Sequence, residues 1–181
     1  MFNNLNLVSL VYIPFMILFL IELIFIILWV PPYFRNGISF PPKSYRIPLM
    51  FDLEPHVEML ENALIKGSFR PPVVFKPFNK NEFGFRNKLT SQTLFCGIIC
   101  LESNNGRIRV AGKLPMMYPL LIMMGIILAI IGTHLYIFSG YILFGSVSIF
   151  IQWRNIIAFQ KFIFDTLKNE GLILDDTFAT Y

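Results

Sequence analysis

Residues 114–153 run for forty positions without one Asp, Glu, Lys or Arg. A helix rises about 1.5 Å per residue, so such a run is roughly 60 Å long, close to two bilayer cores end to end. Its weakest point is Gly132-Thr133-His134, with Ser139-Gly140 soon after. That pattern predicts a helical hairpin crossing a membrane twice. Residues 7–30 form a third apolar run, interrupted only by Glu22, and predict a further span. The absence of a basic n-region and of a small-x-small cleavage site before Pro31-Pro32 argues against a signal peptide.

Composition agrees: 55% of residues are hydrophobic and 14% are charged, against about 25% charged in an ordinary soluble domain. The expected fold class is therefore integral membrane α-helical, with three transmembrane helices and a small α+β cytoplasmic domain. The expected divisions are a short outside tail at 1–6, a first span at 7–30 and a Pro-rich connector at 31–51. The α+β domain follows at 52–113, the hairpin at 114–153, an amphipathic helix at 154–170 and a tail at 171–181.

Within the connector, Pro31, Pro32, Pro41 and Pro42 predict irregular backbone, followed by a short strand over 44–51. Asp52-Leu53-Glu54-Pro55 reads as a helix start, and Val57, Leu60 and Leu64 recur at helical spacing. Gly67 reads as the stop. Val73-Val74-Phe75 and Phe83-Gly84-Phe85 are strand-like, and residues 93–102 read as a strand covered on both faces. Asn105-Gly106 predicts a hairpin turn into a strand over 107–113 with a basic outer face. After Trp153, apolar and polar residues interleave at helical period. That helix either continues the last span or lies along the membrane interface.

All fifteen Lys and Arg lie between the first span and the hairpin or after it. With three spans both regions share one side, so the positive-inside rule places the N-terminus outside and the C-terminus in the cytoplasm.

The pattern Phe95-Cys96-Gly97-Ile98-Ile99, then Asn105-Gly106-Arg107-Ile108-Arg109-Val110, then Leu114-Pro115, resembles a family of small uncharacterised bacterial membrane proteins. In that family a β-rich cytoplasmic segment leads into a transmembrane hairpin and a short amphipathic helix, here residues 159–167. The resemblance covers residues 67–168, omits the first span, and implies an architecture with no activity attached.

Glu22 is the foremost candidate site, because a carboxylate within a span costs about 2.5–3.5 kcal/mol on insertion scales. Three roles fit it: a proton or ion site, a polar lock to a partner subunit, or an internally bonded group. Counting depth along the spans points to Ser146 or Ser148 as its partner within the chain. Arg107, Arg109 and Lys113 form a basic stripe facing anionic headgroups, an acidic partner or solvent. His56 and His134 are isolated, and Cys96 and Cys100 read as small buried hydrophobes, so no metal site or cofactor is expected. Nothing resembles a catalytic nucleophile with its base, or a nucleic-acid reader.

These features predict a non-catalytic accessory subunit of a larger membrane complex, with other membrane subunits and the bilayer, including anionic lipid, as partners. No small-molecule substrate or nucleic acid is expected. One alternative is a stand-alone membrane protein whose α+β domain binds a lipid, peptide or regulatory partner. A further one is a small transport or proton-handling component centred on Glu22.

Overall fold

A computed structural model describes residues 2–48, 52–66, 73–88, 95–102, 106–130 and 135–173, with side chains described from Tyr12 onward except at 65–66 and 135–138. The elements run α1 (Phe2–Ile27), α2 (Pro31–Asn36), β1 (Lys43–Arg46), α3 (Glu54–Lys66), β2 (Val73–Asn79) and β3 (Glu82–Asn87). Then follow β4 (Cys96–Glu102), β5 (Arg107–Lys113), α4 (Met117–Ile130) and α5 (Leu135–Asn169). The strands form one antiparallel sheet in the order β1-β5-β4-β3-β2.

β4 lies at the centre, buried along most of its length. Its neighbour β5 is reached through the expected hairpin, with Glu102 opposite Arg107 and Gly106 at φ 55°. Asn105 and the Gly67 stop lie outside the described residues. On one face of the sheet, α3 contributes Leu60 and Leu64, and the C-terminal half of α5 contributes Ile156, Phe159, Ile163 and Leu167. Phe159 is the focus of that layer: its ring centroid lies 4.4 Å from Phe85 and 5.3 Å from Phe95. Gln160 seats α5 on the sheet by donating from Nε2 to the carbonyls of Pro41 (3.0 Å) and Val110 (3.1 Å). The opposite face is covered by α2, through Phe34 against Phe78, with centroids 5.3 Å apart.

The three-span fold is overturned. Among the described residues the chain is an α+β structure, with a five-stranded sheet and five helices. Among the residues whose side chains are described, one helical stretch, Ser139–Asn169, is long and apolar enough to cross a membrane, while the stretches Tyr12–Ile27 of α1 and Met117–Ile130 are shorter. The physical reason lies in how the charge-free run is divided. The described part of its first arm, α4, has 14 residues, about 21 Å of helix against a hydrocarbon core of about 30 Å. Its second arm does not stop at Trp153; α5 continues unbroken to Asn169 and packs on the sheet. The expected amphipathic helix at 154–170 is thus the end of α5. The N-out, C-in orientation rested on the three-span count and loses that basis.

Two smaller differences are instructive. Residues 2–6, expected as a tail, belong to α1. The Pro-rich connector contains α2, because Pro31 and Pro32 occupy its first turn, where a missing N–H costs nothing.

Two substitutions check this arrangement. A Cβ at Gly97 would collide with the Ala111 carbonyl and the Phe85 ring in the middle of the sheet. Gly97→Ala should therefore lower stability by about 1–3 kcal/mol in chemical unfolding. Gly106→Val should lower it by about 1–2 kcal/mol, because a β-branched residue resists the left-handed conformation. Wild-type stability in either variant would contradict the central β4–β5 hairpin.

Candidate functional site

Glu22 sits one turn before the end of α1 and is 6% exposed. The chain reverses immediately beyond it. The Val30 N–H donates to the Phe25 carbonyl at 3.0 Å and the Trp29 N–H to the Ile26 carbonyl at 3.4 Å, the paired bonds of a Schellman C-cap. Glycine normally occupies the left-handed position of that cap; here Trp29 does, at φ 57°. The strain, about 1–2 kcal/mol for a side chain with a Cβ, is offset by contacts that the conformation makes possible. The indole stacks on Phe34, with centroids 5.5 Å apart, and the Arg86 guanidinium lies 4.7 Å from its ring centroid.

The reversal lays α2 back against α1 and brings Tyr33 to Glu22, where the phenol donates to Oε1 at 2.5 Å. The other partners come from the start of α4. The Met117 N–H donates to Oε2 at 2.6 Å, and the Met116 N–H donates to Oε1. Glu22 is therefore an N-terminal cap supplied from a different helix: a carboxylate facing unpaired N–H groups at the positive end of α4. Burial, followed by the nearby Cys96 and the bond to Glu22, pushes the Tyr33 phenol far above its usual range, so it stays a donor.

Ser146 and Ser148 do not bond Glu22. Ser146 is exposed, and Ser148 lines a cavity elsewhere on α5. Depth counting along a three-span bundle paired the wrong levels, because α1 meets the start of α4 at Glu22. The signal for the true partners was the proline at 115 just before α4, which marks a helix start with N–H groups to satisfy.

The basic stripe is also divided. Arg109 is exposed and Arg107 half-buried, but Lys113 is 5% exposed. Its ammonium donates to the carbonyls of Arg35 (2.9 Å) and Gly37 (3.2 Å) and to Ser39 Oγ (2.7 Å). It thus caps the C-terminal end of α2, where a cation is favoured. Desolvation lowers its pKa from the usual lysine value. Strand alternation placed Lys113 on the face of Arg107 and Arg109, but α2 covers that face at the Lys113 end.

Cys96 is buried, and desolvation pushes its thiol up to about 12; Cys100, partly buried, is raised for the same reason. Neither is poised as a nucleophile. His56 Nδ1 lies 2.8 Å from the Asp52 carbonyl in the first turn of α3, and His134 is outside the described residues. Among the described residues no three His, Cys, Asp or Glu side chains are grouped to hold a metal.

The polar residues therefore act chiefly as caps and seats for helices. The remaining conspicuous feature is apolar. Outward-facing side chains of α1, α4 and the first half of α5 are exposed, among them Ile17 at 51%, Ile126 at 47% and Leu143 at 65%. Together these helices make an apolar lobe beside the sheet, and Glu22 joins two of them. No family model, curated protein or solved structure matches the chain.

Removing the cap should have graded effects. Glu22→Leu should lower stability in detergent by about 2–3 kcal/mol, since it strands the α4 N–H groups. Glu22→Gln should cost less, because it retains one acceptor oxygen, and Tyr33→Phe about 1 kcal/mol. A Leu variant that unfolds with the wild type would contradict the capping role.

Proposed function

We propose that the protein is a non-catalytic accessory component of a membrane assembly, held at the bilayer by its apolar lobe and presenting its α+β unit to partner subunits. The observation that carries this reading is the exposed apolar surface shared by α1, α4 and α5. Isolated exposed apolar residues are ordinary, but a continuous apolar surface over several helices needs a cover. A bilayer is the cover that fits best, because the exposed faces are almost free of charge and their edge is not. On α5, half-exposed Trp153 is followed directly by exposed Arg154, and basic residues recur only toward the sheet. Tryptophan followed by a cation is the arrangement favoured at headgroup level.

The sheet unit supports a docking role rather than chemistry. Its buried Lys113 and Gln160 are committed to backbone carbonyls, and its cysteines are not activated. Exposed Arg109, with Arg107 beside it, offers positive charge for an acidic partner or anionic headgroups.

Alkaline carbonate extraction of membranes from cells expressing the full chain tests the attachment. The wild type should remain in the pellet. Leu143→Lys combined with Val147→Lys should release much of it, since each lysine costs up to about 2.5–3.5 kcal/mol in lipid. Release of the wild type would refute the attachment. Migration as a lone monomer in mild detergent would refute the accessory role.

A further inference from the structure

A cavity of about 510 Å³ lies within the apolar lobe, between α1, α4 and α5. Its size falls inside the range of small-molecule sites, about 300–1,000 Å³. Most of its wall is apolar, including Phe15 and Met124, and no Asp, Glu, Lys or Arg lines it. The polar side chains of the α5 wall are arranged with a period. Tyr141, Ser148 and Gln152 fall at i, i+7 and i+11, one helical face, and all three line the cavity.

Gln152 carries the strongest sign of a missing ligand. It is 1% exposed, its Nε2 donates to the Tyr118 hydroxyl at 3.1 Å, and its Oε1 has no hydrogen-bond partner. Buried amide oxygens are almost always satisfied, so an unsatisfied one beside a cavity calls for a donor.

We propose that this cavity binds a neutral lipid alcohol drawn from the bilayer, its hydroxyl donating to Gln152 Oε1 and its hydrocarbon lying along the apolar wall. With the amide nitrogen on the Tyr118 hydroxyl, the unmet atom is an acceptor, so the ligand must donate. A carboxylate or phosphodiester has no proton to give, and a phosphate monoester or an ammonium would bring charge to a wall with no countercharge. A hydroxyl on an uncharged hydrocarbon meets both conditions. The bilayer as its source rests on the lobe being lipid-facing; the chemistry of the site does not.

Binding of radiolabelled hexadecanol to the full-length protein in detergent micelles tests the proposal. Binding should saturate, and equal concentrations of hexadecane or palmitate should compete poorly. Gln152→Met, which keeps the length but removes the acceptor, should weaken binding at least about fivefold. Leu121→Trp, which fills the cavity from α4, should abolish it, and circular dichroism checks that both variants keep their helices. Absence of saturable binding, equal competition by hexadecane, or wild-type affinity in either variant would overturn the proposal. Hexadecane competing equally would mean that Oε1 is served by a water molecule. A wild type that stays in carbonate-washed membranes yet binds no hexadecanol would sink the cavity site while leaving membrane attachment intact.

Discussion

The Glu22 carboxylate is the contact on which the relative placement of three helices depends. It belongs to α1, takes a proton donor from α2 and caps α4. Without it, a carboxyl group and the first N–H groups of α4 would each be buried without a partner, a costly arrangement in an apolar setting. Lys113 does the complementary task at the other end of α2, where an ammonium meets carbonyls. A short helix and the start of a longer one are thus fixed by opposite charges placed where the helix dipoles favour them.

The second joint is α5. One helix of 35 residues serves two environments. Its first half exposes Leu143, Phe144 and Val147, and its second half buries Ile156, Phe159, Ile163 and Leu167 against the sheet. The change falls at Trp153-Arg154, after which polar residues recur with helical period. Because the helix is unbroken there, the apolar lobe and the sheet are connected by a stiff element in addition to loops.

Parts of this arrangement were legible in the chain. Alternation in Arg107-Ile108-Arg109-Val110 and the Asn-Gly turn before it marked β5 and its hairpin, and the acidic start at Asp52 marked α3. Apolar length marked the lobe, yet not its form. A charge-free run does not reveal how it is divided among helices, and here α4 is described over 14 residues and α5 over 35. Glu22 stood out as a costly acid, but its partners are backbone N–H groups, which no side-chain pattern announces. Tyr33 was hidden because Pro31-Pro32 reads equally as a linker and as a helix's first turn. Lys113 looked like its neighbours on β5, since alternation specifies a face and not what covers it. Gln152 reads in the sequence as one amide near the end of a long apolar stretch; its meaning emerges only with the cavity beside it.

Amide hydrogen exchange on the lipid-reconstituted protein tests most directly whether Glu22 fastens the lobe. In the wild type the Met116 and Met117 amides should exchange slowly, as capped groups do. In Glu22→Leu they should exchange at least about tenfold faster, the equivalent of roughly 1.4 kcal/mol, while Ile99 and Val110 at the centre of the sheet remain protected. Unchanged protection of Met116 and Met117 in that variant would contradict the account, since the carboxylate would then not be what holds the start of α4.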